Sequence, residues 1–227
     1  MTQYQVTSLA QGLPATVPFV GPEAQERAFN KRFDARIGAN ENVFGPSPQV
    51  AKAISDFALQ AWKYGDPEFF DLRHAIAEHH DVAPEHIMVG EGIDGLFGYL
   101  VRLFVGLGDK VVTSAGAYPT FNFHVAGYGG ELVAVPYRDD HEDPEALIDA
   151  ANVHQPKLVY IANPDNPMGT WWDAGTIEAM IERVPDKSLL VLDEAYGEFA
   201  PTGVLPGIDP SDTRVLRFRT FSKAYGL

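Results

Sequence analysis

Short apolar runs alternate with helix-like segments along most of this 227-residue chain, and that alternation restricts the folds it can adopt. Five runs have the composition of buried strands: KVVTS, ELVAVPY, LVYIAN, LLVLD and RVLRFR. Short apolar strands separated by helices are typical of a mostly parallel sheet that is covered on both faces. We therefore predict an α/β fold with a mostly parallel central sheet and helices on both faces.

Six segments have the composition of helices. Two of them, SPQVAKAISDFALQAWK and PEFFDLRHAIAEHH, precede the first strand and place apolar residues at helical spacing. A third runs from about Ile93 to Val105, and three more lie near PTFNFHVAGY, DPEALIDAAN and DAGTIEAMIERV. The stretch from Met1 to about Phe33 contains three prolines and no sustained period. We expect residues 1–35 to form a loop-like N-terminal arm and residues 36–227 to form one large domain.

Charge and composition narrow the classes of partner. Asp and Glu total 31 against 17 Lys and Arg, which gives a formal charge of −14. Such a protein repels nucleic acid and anionic membrane surfaces, so we expect neither as a partner. The chain lacks cysteine and begins without the features of a signal peptide, which favours a cytoplasmic location. Its histidines show no ligand spacing, so we predict no metal site.

Polar clusters follow four of the predicted strands. They supply Tyr118, then Asn166, then Asp193 with Tyr196, and finally Thr220 with Ser222 and Lys223. Because parallel sheets bind ligands beyond the carboxyl ends of their strands, chemistry is expected at these clusters. Each cluster also has an ordinary structural explanation when taken alone. Asn166 is a typical turn residue, Asp193 a typical helix N-cap, and Lys223 a typical solvated surface lysine.

One chemistry uses all four clusters together, namely catalysis with pyridoxal 5'-phosphate. This cofactor forms a Schiff base with a lysine, and its ring accepts the electron pair of a substrate carbanion. The ring nitrogen needs a fixed carboxylate, the phenolic oxygen needs hydrogen-bond donors, and the flat face needs an aromatic partner. The phosphate needs nearby hydroxyls and the backbone amides of a helix start, which the segment GEGIDG offers. The sequence therefore predicts a pyridoxal phosphate site with Lys223 as its nucleophile.

Seven motifs resemble, in order, those of the fold-type I pyridoxal phosphate aminotransferases of class I/II, and most closely the histidinol-phosphate aminotransferase branch. They are GANENVFGPSP, WKYGDPEFFDLRHAIA, GEGIDGLFGYLVRLF, AYPTF, NPDNPMG, LDEAYGEF and RTFSKAYGL. Together they cover roughly residues 33–227. The resemblance implies that residues 36–227 are the large cofactor-binding domain of this fold, incomplete at its C-terminal end.

The resemblance also implies a role for each matching residue. The catalytic set is Lys223 as the Schiff-base lysine, Asp193 beside the ring nitrogen, and Tyr196 at the phenolic oxygen. Asn166 is similar to the second donor to that oxygen, and Tyr118 to the ring that stacks on the cofactor.

The phosphate and the substrate have implied partners as well. The expected phosphate ligands are the amides of Ile93 and Asp94 and the hydroxyls of Thr220 and Ser222. Tyr64 is similar to a tyrosine that reaches the phosphate of the neighbouring subunit, so the resemblance implies a homodimer. Asn42 matches a loop that lies near the substrate.

The chain departs from the family pattern in places. Met168 replaces the usual threonine of NPDNPMG, and GEGIDG lacks the usual acidic pair. The family places one arginine after the Schiff-base lysine to bind the phosphate and another near its C-terminus to bind the substrate carboxylate. Both positions, and the small C-terminal domain, would lie beyond Leu227, so we expect the sequence to be truncated.

Three functions remain open on the sequence. The leading hypothesis is transamination between a 2-oxo acid and an amino donor that is histidinol-phosphate-like or aromatic. The second is a decarboxylase or lyase that uses the same site, because the orientation of the bonds at the substrate α-carbon selects the reaction. The third is a non-catalytic module that retains the fold.

Overall fold

A computed structural model describes residues 5–13 and 19–227 of the chain. Within these ranges a five-stranded sheet has the order β2-β1-β3-β4-β5. Its strands are β1 (Lys110–Ser114), β2 (Glu131–Val135), β3 (Leu158–Ala162), β4 (Leu189–Asp193) and β5 (Val215–Phe218). Every pair of neighbouring strands is parallel, which confirms the predicted sheet.

The strand register brings the carboxyl ends together at one edge. Ala162 at the end of β3 lies opposite Asp193 at the end of β4, and Asp193 lies opposite Phe218 at the end of β5. The order of the strands reverses between β1 and β3, which is the position where open parallel sheets form their ligand crevice. The loops that follow β1, β3, β4 and β5 are therefore those that can build a site.

Eight helices surround the sheet or precede it within the described residues. They are α1 (Ser8–Gly12), α2 (Pro22–Phe29), α3 (Pro48–Phe57), α4 (Phe70–His80), α5 (Gly92–Phe104), α6 (Pro119–Gly127), α7 (Pro144–His154) and α8 (Ala174–Glu182). Three short 3-10 turns lie at Ala58–Gln60, Pro84–His86 and Gly197–Phe199. Side-chain caps fix the starts of α7 and α8, because Asp143 accepts from the amide of Ala146 and Asp173 from that of Thr176.

Each face of the sheet has its own apolar core. On one face, α5 and α6 bury Phe97 and Phe121 against Tyr160 and Phe218, and the rings of Phe121 and Tyr160 stack with centroids 4.7 Å apart. On the other face, α7 and α8 pack apolar side chains against the alternate residues of β1, β3 and β4. The double coverage explains why the sequences of these strands are continuous apolar runs.

Two details of the helices differ from the sequence-based expectations. The predicted loop-like arm contains α1 and α2, which are too short to show a sustained period; its residues 1–4 and 14–18 lie outside the described part of the chain. The helix expected from Pro67 begins at Phe70 instead, because the Asp66 carboxylate accepts from the amides of Glu68 and Phe70 and holds a turn there.

The α3 region is much more exposed than the sheet and its covering helices. No residue of α3 is buried, and the side chains of Trp62 and Tyr64 that follow it are 81% and 103% exposed. None of the helices described in residues 5–13 and 19–227 is long and apolar enough to cross a bilayer. The same residues contain no cluster of three or more His, Cys, Asp or Glu side chains arranged to hold a metal ion.

Candidate active site

A cavity of about 640 Å³ opens at the carboxyl edge of the sheet. Nine of the eleven predicted site residues line it: Ile93, Asp94, Tyr118, Asn166, Asp193, Tyr196, Thr220, Ser222 and Lys223. They come from the start of α5 and from the loops after β1, β3, β4 and β5. Residues that are far apart in the sequence therefore meet because their strands end at one edge.

Asp193 ends β4, and its carboxylate is buried at the cavity. Its two oxygens accept hydrogen bonds from the Tyr160 hydroxyl at 2.8 Å and the Ala195 amide at 3.0 Å. Burial raises the pKa of Asp193 to about 6, although both hydrogen bonds oppose that shift. Among the described residues no basic side chain forms an ion pair with this carboxylate, so it is suited to a cationic ligand group.

Lys223 follows β5 by five residues and is partly buried. Its Nζ atom lies 3.5 Å from the carbonyl oxygen of Asn40 and 5.7 Å from the centroid of the Tyr196 ring. The Tyr196 hydroxyl in turn accepts a hydrogen bond of 3.0 Å from the Asn40 side chain. Asn40 therefore contacts both of these predicted catalytic residues, and sequence reasoning did not single it out.

The start of α5 lies on another side of the cavity. Gly92 has a φ of +73°, and the chain turns there directly into the helix. Backbone amides in the first turn of a helix have no partner within it, and they favour an anion. The Asp94 side chain in this turn bonds to Nε2 of His124 at 3.0 Å. Thr220 and Ser222, whose hydroxyl oxygens lie 2.9 Å apart, complete the polar wall.

Tyr118 precedes α6 and supplies the aromatic side of the cavity. Pro119 occupies the first position of α6, where a proline is compatible with the helix. Partial burial, followed by the nearby Asp94 charge, raises the pKa of the Tyr118 hydroxyl. The ring is therefore neutral at physiological pH and available for stacking.

The two remaining predicted residues lie outside the cavity lining. Asn42 donates to the carbonyl oxygens of Lys223 at 3.0 Å and Ala224 at 2.9 Å, so it fastens the lysine segment. Tyr64 projects fully into solvent from the α3 region. Its predicted role requires a second subunit and remains a prediction.

A buried ion cluster supports the cavity from β4 and β5. The Glu194 side chain is fully buried and pairs with Arg217 at 2.5 Å and Arg219 at 3.1 Å. Arg219 also lines the cavity and lies 3.6 Å from Glu198. The sequence pattern that indicates this cluster is the alternation of Arg217, Phe218 and Arg219 at the end of β5. Residues two apart lie on the same face of a strand, so the two arginines point the same way.

Gly226 holds the lysine segment against the loop at Gly45. Its φ is +69°, and a Cβ atom there would lie 2.7 Å from the Gly45 carbonyl carbon and 2.9 Å from its oxygen. We expect Gly226→Ala to displace the segment and to cost about 1–3 kcal/mol of local stability. Limited proteolysis of the whole protein measures this as faster cleavage near Lys223. Gly207→Ala is the matched control, because that position has open space and an ordinary φ, and equal cleavage of the two variants would contradict the prediction.

Comparisons with known proteins identify the family of this chain. The family model "Aminotransferase class I and II" matches residues 35–227. A histidinol-phosphate aminotransferase from Lactiplantibacillus plantarum is 36% identical over 85% of this chain and 55% of its own length. An aromatic amino acid aminotransferase from Mycolicibacterium smegmatis is 37% identical over 85% of this chain and 54% of its own length.

A solved structure gives the same result. The crystal structure of histidinol-phosphate aminotransferase from Sinorhizobium meliloti in complex with pyridoxal 5'-phosphate superimposes with a TM-score of 0.95 at 54% identity. The superposition covers 100% of this chain and 61% of that one. The present chain thus spans between half and two thirds of the length of these relatives. By its sequence and its sheet, this chain belongs to the class I and II aminotransferase family.

Proposed function

We propose that this chain forms the cofactor-binding part of a pyridoxal phosphate-dependent aminotransferase. The observation that carries the proposal is the convergence of Asp193, Asn166, Tyr196 and Lys223 on one cavity at the carboxyl edge of the sheet. Each of them has a structural explanation alone, but pyridoxal phosphate chemistry uses the four together. Relatives named as aminotransferases support this reaction over a decarboxylase, a lyase or a non-catalytic module.

The donor set fits pyridoxal phosphate. The buried, unpaired Asp193 carboxylate suits a protonated ring nitrogen, because a cation there would offset the burial that raises its pKa. The amides at the start of α5 and the hydroxyls of Thr220 and Ser222 suit a phosphate. A cavity of about 640 Å³ lies within the range of small-molecule sites.

The residues of the chain divide the work of the reaction. Pyridoxal phosphate supplies an aldehyde that a lysine can attack and a conjugated ring that accepts an electron pair from the substrate α-carbon. The amine of Lys223 acts as nucleophile and then carries the proton that leaves the α-carbon. With the cofactor bound, Asp193 would hold its protonated ring nitrogen, and Tyr196 and Asn166 would hold its phenolic oxygen. Tyr118 would cover the ring and exclude water.

The substrates and the assembly are part of the same proposal. The amino donor is histidinol-phosphate-like or aromatic and the acceptor is a 2-oxo acid, which is supported by the names of the relatives. A homodimer is supported by the exposed α3 region, which leaves the Tyr64 ring in solvent. We assign the protein to the cytoplasm, with neither nucleic acid nor membrane as partner, from its charge of −14 and its lack of cysteine.

Covalent trapping of the cofactor tests the proposal. The whole protein is incubated with pyridoxal phosphate, reduced with borohydride to make the lysine–cofactor bond permanent, and digested for mass spectrometry. We expect the label on Lys223 and on no surface lysine such as Lys187. Product analysis with histidinol phosphate or an aromatic amino acid plus 2-oxoglutarate should then show equal amounts of new amino acid and consumed donor. Release of carbon dioxide without amino transfer would contradict the proposal.

A further inference from the structure

Asn40 lines the cavity and contacts two of the predicted catalytic residues at once. Its side-chain amide donates to the Tyr196 hydroxyl at 3.0 Å. Its backbone carbonyl oxygen lies 3.5 Å from the Nζ atom of Lys223. A residue that adjoins both of these groups can influence the reaction through them without reacting itself.

The direction of the Tyr196 hydroxyl proton matters because the proposed function requires it to reach a ligand oxygen. A short turn fixes the backbone beside Tyr196, since the Gly197 amide donates to the Glu194 carbonyl at 2.9 Å. The hydroxyl can still rotate, and it carries one proton and two acceptor lone pairs. Asn40 is the one hydrogen-bond partner of this hydroxyl among the described residues, and it acts as a donor. The hydroxyl proton therefore turns away from the Asn40 amide and is free for a ligand.

The loop around Asn40 has other contacts that hold it in place. Arg36 pairs with Glu41 at 2.7 Å, and the Asn42 side chain donates to two carbonyl oxygens of the lysine segment. Asn40 has a φ of +52°, a conformation that Asn, Asp and Gly adopt more readily than other residues. It is also exposed, so a substitution there does not disturb an apolar core. The contact with Tyr196 can thus be altered while the loop keeps its position.

We propose that Asn40 is a positioning residue: its side-chain amide donates to the Tyr196 hydroxyl and thereby directs the hydroxyl proton to the phenolic oxygen of bound pyridoxal phosphate. This inference rests on the proposed function, since it concerns the same site. A donor to the hydroxyl also makes it a stronger donor in turn, because hydrogen bonds in a chain polarise one another. An acceptor at the same position would have the opposite effect, since it would take the proton itself.

The test compares two variants of the whole protein that tolerate the backbone conformation of Asn40. Asn40→Asp keeps the size of the side chain but offers only acceptors, whereas Asn40→Gly removes the contact without supplying an acceptor. The probe is pyridoxamine 5'-phosphate, which has the phenolic oxygen but lacks the aldehyde, so that bond formation at Lys223 does not contribute. We expect its dissociation constant to rise about tenfold in Asn40→Asp and by less than about threefold in Asn40→Gly.

Two controls separate the hydrogen bond from the added charge. Asn30→Asp makes the same substitution at an exposed residue with a φ of +49° at the end of α2, and it should keep the wild-type affinity. In the Tyr196→Phe background no hydroxyl remains to be oriented, so Asn40→Asp should weaken binding there by less than about threefold. Equal weakening in both backgrounds would overturn the proposal, because the effect would then come from the charge alone. Wild-type affinity in Asn40→Asp would overturn it as well.

A second readout does not need the cofactor. In protein labelled with ¹⁵N at asparagine, Tyr196→Phe should shift the side-chain amide resonance of Asn40 and leave that of Asn30 in place. Absence of the shift would overturn the contact on which the proposal depends. Failure of wild type to bind the probe would instead overturn the proposed function and with it the role of the proton, while the resonance of Asn40 would still report on the contact.

Discussion

Lys223→Ala is expected to lower the rate of amino transfer by roughly 10³-fold or more, because one side chain provides both the nucleophile and the proton carrier. The fold should survive, since the Lys223 amine makes only a weak contact of 3.5 Å with the Asn40 carbonyl. The cofactor should still bind through Asp193 and the α5 amides, but borohydride should no longer attach it to the protein. The measurements are single-turnover rate, bound cofactor after gel filtration, and label after reduction.

Two further variants separate chemistry from charge in this experiment. Lys223→Arg keeps the positive charge near Tyr196 but cannot form the same bond with an aldehyde, so it should be as inactive as alanine. Lys187→Ala removes an exposed lysine at the opposite end of the sheet and should leave the rate unchanged. A rate for Lys223→Ala within tenfold of wild type would remove this residue from the chemistry.

The parts of the site that follow strands could be predicted from the sequence. Asn166, Asp193 and Lys223 each lie at or just after the end of an apolar run, and a parallel sheet brings such positions to one edge whatever its exact strand order. The short motifs around them add residue identity to that placement. This is why nine predicted residues line one cavity without knowledge of the register.

The residues that sequence reasoning missed depend on the register or on distant segments. Tyr160 reaches Asp193 only because β3 and β4 are paired so that Ala162 lies opposite Asp193. Asn40 reaches Tyr196 across 156 positions, from a loop without a period. Glu142 lies in an ordinary turn before α7, yet its side chain joins Ser114 and Ala162 at the ends of β1 and β3. Side-chain pairs of this kind are properties of the packed structure and leave no local pattern.

The cost of burying the ionised Asp193 carboxylate links the function of this residue to the stability of the protein. Its carboxylate is held in a buried position where ionisation is unfavourable, and two hydrogen bonds compensate only in part. Poorly solvated groups of this kind are typical of sites that bind a ligand charge. Removal of the charge should therefore have opposite effects on activity and on the unliganded fold.

Asp193→Asn is expected to lose activity by at least about 10²-fold, because a neutral amide cannot keep the ring nitrogen protonated and the ring then accepts electrons poorly. The geometry can be preserved, since the asparagine oxygen can accept from the Ala195 amide while its NH₂ donates to the Tyr160 hydroxyl. Steady-state rates for the two proteins at saturating cofactor measure the effect. Asp209→Asn, on the exposed segment before β5, is a control that should keep the wild-type rate.

Without cofactor, the same substitution should stabilise the protein at neutral and alkaline pH. The folded-state pKa of Asp193 is raised from 3.8 to about 6, so the folded chain binds the extra proton between these values and stability falls as pH rises through them. The pKa shift of about two units, at 1.36 kcal/mol each, lowers the free energy of unfolding of wild type by roughly 3 kcal/mol above pH 6. The substituted asparagine does not titrate. Relative to wild type, the free energy of unfolding of the variant, measured with denaturant, should therefore rise by about 2 kcal/mol between pH 4 and pH 8.

Bound cofactor should make wild type more stable than Asp193→Asn, the reverse of the order without cofactor. Saturating pyridoxal phosphate stabilises whichever protein binds it more tightly, and a cation beside Asp193 makes its ionised form favourable. Wild type should then unfold at higher denaturant concentration than Asp193→Asn at pH 8, although it unfolds at lower concentration without cofactor. A variant that is less stable than wild type in both conditions would show that the carboxylate is a structural group. In that case the proposed pairing with a ring nitrogen would be wrong, because the unliganded protein would already stabilise the carboxylate.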